Sequence, residues 1–208
     1  MSHFPSINPW VSMWTRPRKT IRALVDYKPN YGVFYLASLF AFQDLLYYAN
    51  WWSFGTKFSP LSIFLGSLIL CPLVGLVWVY FAGWIFYFTG RWLHGRASAS
   101  HLRKALAWSK VPVSINLLVW LGFLIFGVPS AFILEGSHDT GLFSTIFLNF
   151  ISLATGIWSF VLLVQSIREV QHFSISHSII NVAMGWVIYF IFFIILSALV
   201  RYFYLLAI

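Results

Sequence analysis

The chain has 208 residues, of which 60% are hydrophobic and 21% aromatic but only 9% charged, and its mean hydropathy is +0.82. A soluble fold of this length could not cover so much apolar surface, so the composition excludes a soluble globular protein and indicates a polytopic membrane protein. The net charge of +8 does not indicate nucleic-acid binding here. Lys and Arg beside membrane spans set the orientation of the spans and attract anionic lipid headgroups. The single cysteine, Cys71, excludes an intramolecular disulfide.

Residues 1–30 form a basic leader that is not expected to be a cleaved signal peptide, because it is long and polar before the first apolar run. Asn8 with Pro9 predicts a capped helix start, and Thr15 with Pro17 predicts a second start. A helical wheel separates apolar residues from charged ones: Trp10, Met13, Trp14, Pro17, Ile21, Leu24 and Val25 against Arg18, Lys19, Arg22 and Asp26. This pattern predicts a cytosolic amphipathic helix lying on anionic lipid. The alternative is that its apolar face packs on the protein's own spans.

Five apolar runs follow, each long enough to cross a bilayer. The predicted spans are residues 31–51, 61–89, 111–134, 142–165 and 179–200. We therefore predict an all-α fold with one five-helix transmembrane domain over residues 31–208. The second run is longer than a bilayer requires, so it should tilt, kink at Pro72 or extend into the cytosol. Pro112 and Pro129 predict irregularity in the third.

Lys and Arg are concentrated on one side of these spans. Eleven of them fall in the leader, the second connector and the fourth connector, against two, Lys57 and Arg201, on the other side. This asymmetry predicts a cytosolic N-terminus and an external C-terminus.

The second connector, residues 90–110, repeats the pattern of the leader. Ser98 or Ser100 is expected to cap a helix with Leu102, Ala105, Leu106 and Ser109 on one face and Arg103, Lys104 and Lys110 on another. The candidate residues for binding anionic headgroups or a partner are Trp10, Trp14, Arg16, Arg18, Lys19, Arg22, Arg96, Arg103 and Lys104. The alternative is that these bases serve topology alone.

Polar residues inside spans are functional candidates, because each is costly in lipid. They are Gln43, Asp44, Asn116, Asn149, Ser152 and Asn181. Asp44 shares a helix face with Ala37, Ala41 and Tyr48, so it is expected to point into the bundle, near enough to the outer interface to reach water or Lys57. A structural hydrogen-bonding role and a proton- or cation-linked role both remain open.

Small and polar residues recur at helical spacing in two spans. They are Thr145, Asn149, Ser152, Gly156 and Ser159 in the fourth span and Ser67, Cys71 and Gly75 in the second. Such stripes let helices approach closely; for the fourth span, lining a polar pathway is the alternative.

Enzyme and metal signatures are absent from the sequence. His94, His101, His172 and His177 lack the spacing and the companion ligands of a metal site, and no hydrolase or protease motif is present. We therefore expect no catalytic residues, no metal and no cofactor.

Several short motifs together resemble the Yip-domain family, the five-span membrane proteins known as Ypt/Rab-interacting proteins and their bacterial relatives. The motifs are Asn8-Pro9-Trp10, Arg16-Pro17-Arg18-Lys19-Thr20-Ile21-Arg22, Gly90 through Leu93, Gly95-Arg96-Ala97-Ser98, and Ala107-Trp108-Ser109 before Val111-Pro112. The resemblance covers essentially the whole chain, and its span number agrees with the prediction from hydropathy.

The resemblance implies a non-enzymatic protein that organises a membrane or recruits a partner or lipid. Members with long cytosolic N-terminal regions act in Golgi and endoplasmic-reticulum traffic and contact small GTPases. This leader is short and lacks their Asp-Leu-Tyr-Gly-Pro-like segment, which leaves small-GTPase binding without support and favours a bacterial member in the inner membrane. A protein partner or a second copy of the chain is compatible with this interpretation, and nucleic acid is not. The alternative function is a small transporter, channel or lipid scramblase that uses the polar groups of spans 1 and 4.

Overall fold

The computed structural model describes residues 8–27, 30, 32–126, 132–133 and 139–206, and within them the fold is all-α, as predicted. Its helices are α1 Pro9–Thr15, α2 Pro17–Tyr27, α3 Val33–Trp51, α4 Pro60–Trp92, α5 Ala99–Ser109, α6 Ser114–Ile125, α7 Asp139–Gln171 and α8 Ile175–Leu206. Short 3-10 turns lie at Phe54–Thr56 and Val111–Val113.

The leader forms two short helices, and the motifs that predict them are visible in the structure. The side chain of Asn8 accepts a hydrogen bond of 3.1 Å from the backbone N–H of Trp10, with Pro9 at the first helical position. The chain breaks at Arg16, immediately before Pro17, because the residue before a proline is pushed out of the helical region.

Each predicted apolar run carries a helix, but the helices are not equally suited to crossing a bilayer. Four segments are long and apolar enough: Pro60–Trp92, Ala99–Ile125, Ile146–Gln171 and Ile175–Ile195. The protein is therefore a multi-pass membrane protein. The helix α3 is not among the four, because Gln43, Asp44 and Asn50 lower the mean hydropathy of its 19 residues. The fifth span is thus not confirmed.

The two prolines within the described spans have different effects. The helix α4 runs unbroken through Pro72 to Trp92. Pro112 instead lies in the 3-10 turn that joins α5 to α6. Pro129 and most of the chain between α6 and α7 fall outside the described residues.

Both α4 and α7 contain 33 residues, so each is about 50 Å long at 1.5 Å per residue. The hydrocarbon core of a bilayer is about 30 Å thick. Each helix therefore extends well beyond it. At this extension α1 packs on α2, α2 packs on α5 and α7, and α5 packs on both α4 and α7. We call this part of the molecule, residues 8–27 and 90–110 with the C-terminal turns of α7, the cap.

The apolar face of the leader packs on the rest of the protein, which is the second of the two alternatives drawn from its pattern. Met13, Ile21 and Leu24 are fully buried in a cluster that also contains residues of α3, α4, α5 and α7. A bilayer cannot reach these side chains. Trp10 and Val11 remain 43% and 68% exposed.

The contact between α3 and α4 depends on the small residues predicted to mediate it. Ser67, Cys71 and Gly75 are all buried. A methyl group on Gly75 would clash with the backbone carbonyl of Ala37, so the two helices meet here backbone to backbone.

We predict that Gly75→Ala destabilises the protein by about 1–3 kcal/mol, because the added carbon meets rigid backbone and forces the helices apart. The matched control is Gly66→Ala in the same helix, where an added carbon meets no atom within 4 Å. Thermal unfolding in detergent should separate the two variants. Equal melting temperatures would contradict the close contact.

Candidate functional site

Glu169 of α7 holds the leader to the membrane helices. Its side chain is 5% exposed and accepts a hydrogen bond of 2.9 Å from Nε of Arg18 and one of 2.6 Å from Nε of Arg22. Both arginines remain partly in contact with solvent, with side chains 46% and 67% exposed. Two of the bases assigned to lipid headgroups therefore also carry a structural ion pair.

Glu169 was not among the candidate residues predicted from the sequence. It is an acid in a stretch of chain that otherwise contributes bases to the cytosolic side, and only one other acid, Asp26, lies in the cap. The sequence signal that could have identified it is a single acidic residue among basic ones.

Lys104 does not face lipid headgroups as predicted, because its side chain is fully buried. Its ammonium group donates a hydrogen bond to the backbone carbonyl of Leu24 and interacts electrostatically with Asp26. Leu24 is in the last turn of α2, where carbonyls lack a partner within the helix and the helix dipole favours a cation. Lys104 therefore caps α2. The helical wheel of α5 predicted an exposed Lys104 and was wrong, because α5 is surrounded by α2, α3, α4 and α7 rather than lying on a surface.

Arg103 is partly buried along α4. Its guanidinium carbon lies 4.3 Å from the centre of the Tyr80 ring, a cation–π contact, and its aliphatic part lies where a side chain on Gly83 would be. Four other cap bases, Arg16, Lys19, Arg91 and Arg96, are exposed. We call these four the exposed bases of the cap. Trp14, also a candidate, is partly buried against the cap's core.

The Gly90-to-Ser98 motif receives the side chain of Gln171 at the end of α7. Gln171 is 2% exposed, and its carbonyl oxygen accepts a hydrogen bond of 3.0 Å from the N–H of Ala97. A side chain on Gly90 or on Gly95 would overlap the Gln171 amide. Ser98 then caps α5, accepting a hydrogen bond from the N–H of His101.

Trp108 joins the same cap to the start of α3. It is 2% exposed, and a Cβ on Gly32 would lie 2.9 Å from its ring. Gly32 has a φ of +74°, a conformation that glycine adopts at little cost. The Trp10 ring meets Trp108 edge to face, with centroids 5.7 Å apart.

Asp44 lines a cavity of about 670 Å³ between α3, α4 and α8, together with Ala37, Ala41 and Tyr48 of its own helix face. Lys110 and Tyr189 also line it, and the remaining wall is apolar or aromatic. The cation that interacts with Asp44 is Lys110, not Lys57, the partner expected from the sequence.

The other polar residues of the spans lie in separate contacts and do not meet at this cavity. Asn116 hydrogen-bonds to Thr155 at 3.3 Å, Asn149 accepts from the Tyr47 hydroxyl at 3.0 Å, and Asn181 donates to Thr89 at 2.9 Å. Gln43 is buried and Ser152 partly buried; the Gln43 side-chain oxygen and the Ser152 hydroxyl have no hydrogen-bond partner within the described residues.

The predicted stripe of α7 is only partly a packing surface. Ser159 is buried, whereas Asn149 and Gly156 are exposed, and the side chain of Thr145 lies outside the described part. Among the described residues no group of three or more His, Cys, Asp or Glu side chains is placed to hold a metal ion.

The family model of the Yip1 domain matches residues 11–197, which include all but the first three residues of the cap, all of α3 and most of α8. The chain belongs to the Yip1 domain family. Proteins of this family are generally non-catalytic and act in membrane trafficking. No curated protein and no solved structure matches the chain.

We predict that Glu169→Gln loosens the leader, because the amide keeps the shape of the carboxylate but loses its charge-assisted bonds to Arg18 and Arg22. Hydrogen bonds to charged groups are worth about 1.5–3 kcal/mol. Amide hydrogen exchange in α2 should therefore accelerate by about tenfold, measured by mass spectrometry on the full chain.

The control for this experiment is Arg168→Gln, which removes a charge from the neighbouring position without touching the ion pair. Unchanged exchange in Glu169→Gln, or equal acceleration in both variants, would show that Glu169 does not anchor the leader.

Proposed function

We propose that this Yip1-domain protein is a non-enzymatic, five-span protein of the bacterial inner membrane that uses its cap to recruit anionic lipid or a partner on the cytosolic face. The observation that carries the proposal is the exposure of Arg16, Lys19, Arg91 and Arg96 on the cap. None of the four forms a salt bridge within the described residues.

The acids of the cap leave its basic surface largely uncompensated. Glu169 is bound by Arg18 and Arg22, and Asp26 interacts with buried Lys104. Each base near an anionic membrane surface contributes about 1 kcal/mol of attraction. The exposed side chain of Trp10 adds an apolar anchor beside these bases.

The fifth span in this proposal is α3. Its 19 residues measure about 28 Å, close to the roughly 30 Å of a bilayer's hydrocarbon core. The base asymmetry supports a cytosolic cap, because the leader and the second and fourth connectors carry nearly all Lys and Arg.

Conduction is less well supported than recruitment. A transporter or channel needs its polar residues around one water-accessible path, whereas Asn116, Asn149 and Asn181 each contact a different partner. Such isolated pairs stabilise contacts between helices.

We predict that cysteines at Lys19 and Ser176 are protected from a membrane-impermeant reagent in intact cells, and that a cysteine at Thr56 is labelled. All three positions are exposed in the structure. Native Cys71 is buried and serves as the background control. Labelling of Lys19→Cys and Thr56→Cys from the same side would exclude α3 as a span.

The recruitment proposal is tested with the full chain in neutral nanodiscs presented with anionic vesicles. The triple variant Arg16→Gln, Lys19→Gln and Arg96→Gln should bind these vesicles about 100-fold more weakly, since each base contributes about 1 kcal/mol. Binding of the unsubstituted chain should also fall as salt rises, because charge interactions are screened within about 10 Å at 0.1 M salt.

Lys57→Gln is the matched control, because Lys57 is an exposed base outside the cap, on the opposite side of the membrane in the proposed topology. It should leave vesicle binding unchanged. Salt-independent binding, or equal losses in the triple variant and in the control, would contradict recruitment by the cap.

A further inference from the structure

The cavity beside Asp44 contains two opposite charges that are not joined to each other. Within the described residues the Asp44 carboxylate makes no hydrogen bond and no salt bridge. The Lys110 ammonium lies over the Trp78 ring, 5.5 Å from its centre. Asp44 and Lys110 interact electrostatically across the cavity without direct contact.

Such an arrangement is costly in an apolar environment, because the Asp44 carboxylate has left water without gaining a close partner and the Lys110 ammonium has only the face of the Trp78 ring. A ligand with a cation near Asp44 and an anion near Lys110 would satisfy both at once. A purely anionic ligand would be repelled by Asp44, and a purely cationic one by Lys110.

The walls of the cavity indicate where such a ligand comes from. Leu73, Val77, Phe192 and Phe193 line the cavity and are exposed on the surface of α4 and α8, two of the helices suited to crossing a bilayer. The cavity is therefore accessible from lipid. Its volume of about 670 Å³ lies within the range of pockets that hold small ligands.

We propose that this cavity binds a zwitterionic phospholipid. The headgroup ammonium pairs with Asp44, the phosphate pairs with Lys110, and an acyl chain follows the apolar wall of α4 and α8. The aromatic rings of Tyr48 and Tyr189, which also line the cavity, suit an ammonium group, because ring faces attract cations. This site is separate from the exposed bases of the cap.

The test is native mass spectrometry of the purified full chain with equal amounts of phosphatidylethanolamine and phosphatidylglycerol carrying identical acyl chains. The unsubstituted chain should retain phosphatidylethanolamine preferentially. Asp44→Asn should reduce that retention by about tenfold, the effect of losing one charge-assisted contact, and shift the preference towards phosphatidylglycerol. Lys110→Gln should reduce phosphate binding and therefore the retention of both lipids.

Two control variants distinguish the effect of removing a charge anywhere in the protein from the effect of losing the binding site itself. Lys57→Gln removes an exposed charge outside both the cavity and the cap and should leave the lipid preference unchanged. Val77→Trp fills the mouth of the cavity from an exposed position and should abolish retention of phosphatidylethanolamine while the melting temperature is retained. It keeps the proposal testable if Asp44→Asn does not fold.

Equal retention of both lipids by the unsubstituted chain would overturn the proposal. So would retention that is insensitive to Asp44→Asn, Lys110→Gln and Val77→Trp, since the two charges would then be bridged by water or by motion of the lysine. Loss of vesicle recruitment in the cap variants would not affect this result, because those residues lie outside the cavity.

Discussion

The ammonium group of Lys104 has no access to water, and the arrangement of the cap depends on satisfying it. The carbonyl of Leu24 in the last turn of α2 provides an acceptor, and Asp26 provides a compensating charge. Breaking such a buried polar contact costs far more than its net gain, because the ammonium would be left desolvated. The position of α2 on α5 is therefore fixed by one side chain, and the Glu169 ion pair then fixes α2 on α7.

The family motifs of this chain mainly contain residues that hold the helices of the cap together. Gly90 and Gly95 leave room for Gln171, and Ser98 starts the next helix. Trp108 fills the space that only a glycine at position 32 can leave open. Because these residues hold helices together, their presence establishes the fold more directly than it establishes an activity.

The parts of the fold that depend on local chemistry could be predicted from the sequence. Asn8 with Pro9, the break before Pro17 and the close approach at Gly75 all follow from rules that involve a few neighbouring residues. The environment of α5 could not be predicted, because a basic amphipathic helix looks the same whether its bases face water or, as with Lys104, a neighbouring helix end. The partners Glu169 and Lys110 were missed for a related reason: both are far in sequence from the residues with which they interact.

The ion pair between the leader and Glu169 joins residues 151 and 147 positions apart in sequence. At a synthesis rate of about 5–20 residues per second, the leader emerges roughly 10–30 s before its anchor. During that interval Met13, Ile21 and Leu24 lack the part of their cover that α7 provides, and the headgroup region is where an amphipathic helix with basic flanks can rest. The amphipathic pattern of the leader therefore suits two successive environments: a bilayer surface during synthesis and the cap of the finished protein.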